Sequence, residues 1–232
     1  MDFSADLLLN ALVAGLLLGG FYAAVTVGIS ISFGILDIVN IAHPAFIIVG
    51  SYVAYIVNSR FGVDYRYVSA PYIDKSYTFG LIQLPMRMVV PCVMSLLMLA
   101  LLQLFLTKTF LGRAIMAVAQ DQQALRLMAA DPVKIKRVAF AVSIATCSLA
   151  GACLIIIQPV DPSIGRDYIG RVFAICVLGG LGSLPGTLIG AMLLGLVESF
   201  TSTFYGPSWA PAVGFGLLLL TLAIRPAGLM GR

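Results

Sequence analysis

Residues 7–36 read LLLNALVAGLLLGGFYAAVTVGISISFGIL, thirty positions in succession without one charged side chain. About 20 apolar residues suffice for a helix to cross the hydrocarbon core of a bilayer, so this stretch alone predicts a membrane span. The whole chain agrees, because 60% of its 232 residues are hydrophobic and only 10% are charged, against about 25% charged in a soluble domain. A water-soluble globule is therefore excluded.

Five more uncharged runs follow the first one. They cover residues 38–59, 88–106, 138–158, 172–197 and 199–224. A membrane barrel would need alternating polar and apolar residues, which a run such as VVPCVM at 89–94 does not have. Asp2 and Asp6 stand where a secretory signal would carry basic residues, so the first run is expected to remain as a span. The sequence predicts an all-α, polytopic helical membrane protein with about six apolar runs in one transmembrane domain, 1–232.

The fifth run contains a break that a continuous helix does not tolerate. Residues 179–186 read GGLGSLPG, which predicts two short half-helices joined at membrane depth. Irregular backbone survives at that depth only where it is buried in protein or lines a wet cavity. We therefore expect the glycines of this break to line a translocation path: Gly179, Gly180, Gly182 and Gly186.

A second interruption lies between the first two runs, after Gly34. Residues 36–44 carry the polar side chains of Asp37, Asn40 and His43. Interrupted helices with polar residues are where transporters bind substrates, which makes Asn40 and His43 candidates for the same path. The alternative is a plain cytoplasmic turn between two spans, where ionisable residues cost little.

The net charge of +4 is concentrated in one segment. Residues 107–137 hold six basic and two acidic side chains, which equals the charge of the entire chain. Because Lys and Arg accumulate in loops that stay inside the cell, this segment and the C-terminus are predicted to be cytoplasmic. The N-terminus and the loops 58–87 and 159–171 are then predicted to lie outside.

Within this segment, residues 113–131 predict an amphipathic helix that Asp131-Pro132 terminates. Its apolar face consists of Ile115, Val118, Ala119, Gln122, Leu125 and Ala129, with Arg113, Gln120 and Gln123 on another face. Such a helix can lie on lipid or dock into a groove of a partner. The face is small and Gln122 interrupts it, which favours the protein groove.

Groups for catalysis are scarce. The chain has one histidine, no H-E-x-x-H and no G-x-S-x-G, so an enzyme is not expected. Its four cysteines and the rows of small residues, such as Gly15/Gly19, are interpreted as packing positions. Glu198 is interpreted as an interfacial carboxylate, with a proton relay as the alternative.

The segment LGRAIMAVAQDQQALRLMAAD, residues 111–131, resembles the coupling loop of permease subunits of bacterial ABC importers of the branched-chain amino acid type. Three further blocks are similar to that family in the same order: residues 15–46, 176–199 and 222–232. Met116, Ala129 and Pro44 depart from the family pattern. The chain between Asn58 and Pro85 is also short by roughly two spans.

The resemblance implies a membrane subunit of the bacterial inner membrane that moves a branched-chain or other hydrophobic amino acid, or a related small amide or acid. It implies two ATP-binding subunits, a second similar permease, an external solute-binding protein and membrane lipid as partners, without cofactor or nucleic acid. No G-x-x-x-x-G-K-[ST] phosphate loop is present, so ATP hydrolysis is assigned to other chains. It also implies a coupling role for residues of 107–137, namely Arg113, Ile115, Ala119, Gln120, Leu125 and Asp131. The alternatives are a secondary transporter driven by an ion gradient and a membrane scaffold.

Overall fold

The computed structural model describes residues 4–34, 36, 40, 42–60, 75–127, 130–159, 164–225 and 227–231. The helices among them are α1 (Ala5–Gly34), α2 (His43–Arg60), α3 (Met86–Lys108), α4 (Phe110–Gln120), α5 (Gln122–Leu127), α6 (Pro132–Ile157), α7 (Ile164–Gly179), α8 (Leu184–Phe204) and α9 (Ala210–Ile224). A 3-10 turn, Pro207–Trp209, precedes α9, and two strands, β1 (Ser76–Phe79) and β2 (Ile82–Pro85), precede α3.

The polytopic all-α prediction is confirmed. Five helical segments of the described residues are long and apolar enough to cross a membrane: α1, α3, α6, α8 and Pro207–Ile224. Of the two other helices that arise from the uncharged runs, α2 has 18 residues and α7 has 16. Each of the six uncharged runs therefore contributes at least one helix.

Helix α1 lies at the centre of the bundle and contacts α3, α6, α7 and α8. It is buried without interruption from Gly19 to Ser32, as expected of a helix that is hydrophobic all round. Gly15 and Gly19 allow the backbone of α8 to approach, since a Cβ at Gly19 would lie 2.7 Å from the Met192 Cα atom. This small-residue row serves packing within the chain, as predicted.

The helix ends are grouped at two faces of the bundle. At one face the Asn10 side chain donates to the Leu81 carbonyl oxygen (3.1 Å), and Arg87 Nε donates to the Ile156 carbonyl oxygen (3.1 Å). The start of α1, the turn before α3 and the end of α6 therefore share a face. At the other face Gly34, at the end of α1, touches Gly182, just before α8. The spans therefore run alternately from one face to the other, in the order that the sequence predicts.

The strands β1 and β2 were not predicted. They form an antiparallel hairpin in which Phe79 pairs with Ile82, closed by a two-residue turn at Gly80-Leu81. Gly80 has φ +62°, a conformation that suits glycine and that such turns require. The sequence feature that could have predicted this hairpin is a Gly-X pair between two short strand-like segments.

The fifth run is broken, as predicted, between Gly179 and Leu184. The description of both parts as short half-helices holds for α7 only, because α8 has 21 residues and can cross a membrane alone. The break consequently lies level with Gly34 at one face of the bundle, not at mid-depth.

The boundary that Glu198 was taken to mark, between the fifth and sixth runs, is also corrected. Helix α8 continues past Glu198 to Phe204, and the chain turns at Gly206, where φ is +102°. Likewise, residues 164–171 were assigned to an outer loop but form the first two turns of α7. In both places charged side chains lie inside helices, so charge was a poor marker of the span ends.

Candidate solute path and coupling surface

The glycine-rich break is held by backbone contacts on two sides. Gly180 and Gly182 have φ of +93° and +78°, a region that side chains other than glycine rarely adopt. The C-terminal segment pairs with the end of α7, since Leu229 N donates to the Leu178 carbonyl oxygen (2.8 Å) and Met230 N to that of Gly179 (3.1 Å). The break is thus packed between α1 and the C-terminal segment.

The four glycines predicted for the path lie close together, and the backbone of neighbouring segments packs directly against them. A Cβ at Gly186 would collide with the Gly179 carbonyl group, and one at Gly180 would collide with the backbone of Gly231. Gly182 meets the backbone of Gly34 in the same way. We call these residues, Gly34, Gly179, Gly180, Gly182 and Gly186, the glycine junction. In this conformation the junction is closed.

Asn40 and His43 lie at the start of α2. The Asn40 side-chain oxygen accepts a hydrogen bond from Ala42 N (2.9 Å), and His43 Nδ1 lies 3.1 Å from the Asn40 carbonyl oxygen. Asn40 therefore supports the first turn of α2, while its neighbour Asp37 lies outside the described residues. These contacts fit the turn interpretation of residues 36–44.

His43 itself is completely buried and connects three helices. Its Nε2 atom lies 2.8 Å from the Ser143 hydroxyl oxygen of α6, and that hydroxyl donates to the Gly28 carbonyl oxygen of α1. The ring also packs edge-on against Phe140, with 5.7 Å between centroids. His43 is thus a tie between α1, α2 and α6.

The segment predicted as one amphipathic helix, 113–131, is two helices. α4 ends at Gln120, and Asp121 begins α5 by accepting a hydrogen bond from Gln123 N (2.7 Å) on its side-chain oxygen. Asp131 does not end this helix but caps α6, because its side chain accepts from Val133 N (2.9 Å). Ala129 lies outside the described residues.

The apolar face expected to meet a partner is largely occupied by the chain itself. Ile115 is 1% exposed and belongs to a core cluster with residues of α1, α3 and α6, and Leu125 is 8% exposed. Val118 is buried as well. The prediction that these three side chains form the docking face is therefore wrong, because they anchor the segment to the bundle.

The opposite side of the segment is open. We call it the coupling face; it consists of Arg113, Met116, Ala119, Gln120 and Gln123, all exposed. Of the predicted coupling residues, this side retains Arg113, Ala119 and Gln120.

A buried charged cluster that the sequence did not predict connects α1, α7 and α8. Arg171 Nε donates to Glu198 Oε1 (3.0 Å), and the Tyr22 hydroxyl donates to Glu198 Oε2 (2.6 Å). The Arg171 guanidinium also lies over the Tyr168 ring, 5.6 Å from its centroid. The Glu198 side chain is 5% exposed, so Glu198 lies inside the protein and not on its surface, while its position at the membrane interface stays a prediction. An uncompensated carboxylate would be expensive there, and the two donors stabilise it.

Beside this cluster lies a cavity of about 290 Å³ between α7, α8 and α9. Its lining comprises Asp167, Gly170, Arg171, Ala174, Leu194, Glu198, Pro211, Gly214 and Phe215. It thus combines three charged side chains with an apolar wall.

The comparisons with known sequences identify the chain. The sequence model of the family described as "Branched-chain amino acid transport system / permease component" matches residues 62–222, more than two thirds of the chain. The chain belongs to this family. No solved structure matches it.

The relatives include permeases named for branched-chain amino acids and one named for a sugar. This permease is 28% identical over 297 positions to the high-affinity branched-chain amino acid permease protein BraD of Pseudomonas aeruginosa, covering 97% of this chain and 96% of BraD. It is 25% identical over 295 positions to LivH of Escherichia coli K12, with the same coverage. A shorter match, 32% over 141 residues, covers 57% of this chain and 38% of the xylose transport permease protein XylH of Haemophilus influenzae.

The alignment to BraD also bears on the length of this permease. It extends over 297 positions although the chain has 232 residues, so at least 65 positions have no residue of this chain opposite them. This agrees with the expected shortfall of roughly two spans. The place expected for it, between Asn58 and Pro85, includes residues 61–74, which lie outside the described residues, and so remains a prediction.

One sequence signal could have revealed the charged cluster of this permease. Arg171 and Glu198 stand on opposite sides of the glycine-rich break, each inside a helix of one of the apolar runs. Because a break between two helices brings them antiparallel, charges of opposite sign on both sides indicate a pair.

Proposed function

We propose that this permease is the membrane subunit of an ATP-driven importer of the bacterial inner membrane, moving a small hydrophobic amino acid or a related solute. Membership of the branched-chain amino acid permease family is the observation that carries the proposal. The concentration of positive charge in residues 107–137 supports a cytoplasmic position for α4, α5 and the C-terminus. The energy comes from two ATP-binding subunits on other chains, and an external solute-binding protein delivers the solute.

In this proposal the coupling face contacts an ATP-binding subunit. It presents one basic group, the amides of Gln120 and Gln123, and the small apolar surface of Ala119 and Met116, which suits a protein groove. Ile115 connects this face to the core cluster of α1, α3 and α6. A displacement of α4 by the ATPase is thereby passed to the helices of the bundle.

The solute path closes at the glycine junction, and Asn40 and His43 are proposed as further residues of the same path. Alternating access requires a closed end in each state, and backbone packed on backbone without side chains closes an end tightly. A second, similar permease subunit completes the other wall of the path.

The docking role is tested with Ala119→Asp, which places a charge in the centre of the coupling face. The control is Val133→Asp, which adds the same charge at an exposed position in the first turn of α6, on the same side of the bundle. We expect the ATP-binding subunits to copurify with the wild-type chain and the control but to be lost from Ala119→Asp, because an unpaired charge would be buried in the groove. Equal copurification with both variants would exclude this face.

A further inference from the structure

The cavity between α7, α8 and α9 differs from an ordinary gap between spans because charged groups line it. Its volume of about 290 Å³ lies near the lower end of the range of roughly 300–1,000 Å³ for ligand pockets, which suits a molecule the size of an amino acid. Arg171 and Asp167 belong to the first two turns of α7, and Pro211 to the first turn of α9. The cavity therefore lies towards the face that holds the N-terminus, which we assign to the outside.

Arg171 is fixed in place, but not all of its hydrogen-bond donors are occupied. Glu198 accepts from its Nε atom, and the stacking on Tyr168 holds the plane of the guanidinium. Nε is the one guanidinium nitrogen for which the described part of the chain supplies an acceptor. The Nη1 and Nη2 atoms remain for an anion, and the Arg171 side chain is 24% exposed on the cavity. A guanidinium fork matches a carboxylate in a bidentate manner.

Asp167 supplies the opposite charge at a suitable place. It precedes Arg171 by four residues, so both side chains lie on one face of α7, and both line the cavity. Asp167 is exposed, and within the described residues it forms no ion pair with Arg171 or another base. A carboxylate and a guanidinium thus stand side by side, about one helical turn apart, without neutralising each other.

The rest of the cavity wall is apolar. Ala174, Leu194 and Phe215 line it together with Gly214, whose missing side chain widens the space beside Leu194. This wall suits an aliphatic side chain, whereas a sugar or urea would leave its hydroxyl or amide groups without partners there.

We infer that this cavity binds an aliphatic α-amino acid as a zwitterion, with its carboxylate on Arg171 and its ammonium group on Asp167. Glu198 acts as a positioning residue that holds Arg171, and Tyr22 holds Glu198 in turn. The inference rests on the proposed function and gives it a site at the outer end of the path. It also predicts that the permease itself selects against solutes that lack either charge.

The test measures binding of tritiated leucine to the purified full-length permease in lipid nanodiscs. Two competitors each lack one charge of the zwitterion: leucinamide lacks the carboxylate, and 4-methylpentanoate lacks the ammonium group. Asp167→Asn and Arg171→Lys remove one contact each, and Asp6→Asn is the matched control, an exposed acid in the first turn of α1 on the same face.

We expect leucine to bind the wild-type chain at least about tenfold more tightly than either competitor, the value of one charge-assisted hydrogen bond. Asp167→Asn should weaken leucine binding by about the same factor without changing the affinity for 4-methylpentanoate. Arg171→Lys should weaken leucine and 4-methylpentanoate but not leucinamide, and Asp6→Asn should match the wild type.

Three results would overturn the site: no leucine binding up to about 10 mM, equal binding of leucine and both competitors, or identical behaviour of Asp167→Asn and Asp6→Asn. Copurification of the ATP-binding subunits, measured on the same preparation, separates this site from the proposed function. If leucine binding fails while the ATPase copurifies, only the site assignment is lost.

Discussion

Charged side chains inside apolar helices are the most informative residues of this chain. Glu198 has both carboxylate oxygens engaged, one by Arg171 and one by Tyr22, so the charge is compensated within the bundle. Removing one member leaves the other charge buried and unpaired, which costs more than the pair itself contributes. The cluster therefore acts as a unit that joins α1, α7 and α8.

This cluster predicts how a single variant and a double variant rank in stability. Arg171→Gln should lower the free energy of unfolding by about 3 kcal/mol, because Glu198 is left without its cation. The double variant Arg171→Gln/Glu198→Gln should lose less than the single variant, since it leaves no unpaired charge. Thermal unfolding in detergent measures both, and a double variant less stable than the single one would contradict the pairing.

The tie through His43 predicts a second effect on stability. Ser143→Ala removes the hydroxyl between His43 and the Gly28 carbonyl oxygen and should cost about 1–3 kcal/mol, the penalty for unsatisfied buried polar groups. Ser59→Ala, which alters an exposed serine bonded within its own helix, is the control and should change stability by less than about 0.5 kcal/mol. Indistinguishable melting temperatures of the two variants would show that the tie through His43 does not contribute to stability.

At this scale the sequence was informative about residue type but not about partners. It singled out His43 and Glu198 because histidine and acids are rare in the chain. It could not place Ser143 beside His43, since that contact arises between helices that lie 100 residues apart in the sequence. The sequence likewise did not show that neighbouring helices bury Glu198.

At the scale of elements, glycines decide where helices end and how closely they approach. The breaks at 34 and at 179–186 were readable because glycine and proline interrupt apolar runs. The sequence did not show which side of α4 faces outward, because an amphipathic helix shows which face is apolar but not what covers it. Here the bundle covers Ile115 and Leu125, which leaves the polar side for a partner.

The glycine junction predicts a steric effect on transport. Gly186→Leu should abolish transport while leaving membrane insertion largely intact, because its side chain would force α7 and α8 apart at the Gly179 carbonyl group. Gly216→Leu is the matched control, since a Cβ there meets nothing within 4 Å. Solute uptake and the amount of chain in the membrane are measured together. Equal uptake by the two variants would remove the junction from the mechanism.

At the scale of the whole molecule, the described helices run alternately from one face to the other, and in the proposed function the net charge marks one of these faces as cytoplasmic. The hairpin β1–β2 and the start of α1 share one face, while α4, α5 and the C-terminal segment belong to the other. The order of spans and this alternation were predictable from length, hydropathy and charge. The hairpin and the full span length of α8 were not predictable, because short strands and span ends carry weaker sequence signals.

This topology is tested by labelling single cysteines with an impermeant reagent from the outer face. Ser76→Cys on the hairpin should be modified, and Gln123→Cys on α5 should be modified only after the membrane is opened; both positions are exposed. Modification of Gln123→Cys in intact cells would reverse the orientation.

The central claim is that this permease belongs to an importer driven by ATP hydrolysis on other chains. Its most direct test is uptake of tritiated leucine into proteoliposomes that contain the permease with its copurified partners and the solute-binding protein. We predict uptake that requires ATP and persists when proton and sodium gradients are collapsed, and that is lost with Ala119→Asp but not with Val133→Asp. Uptake by the permease alone, driven by an ion gradient without ATP, would contradict the account and identify a secondary transporter.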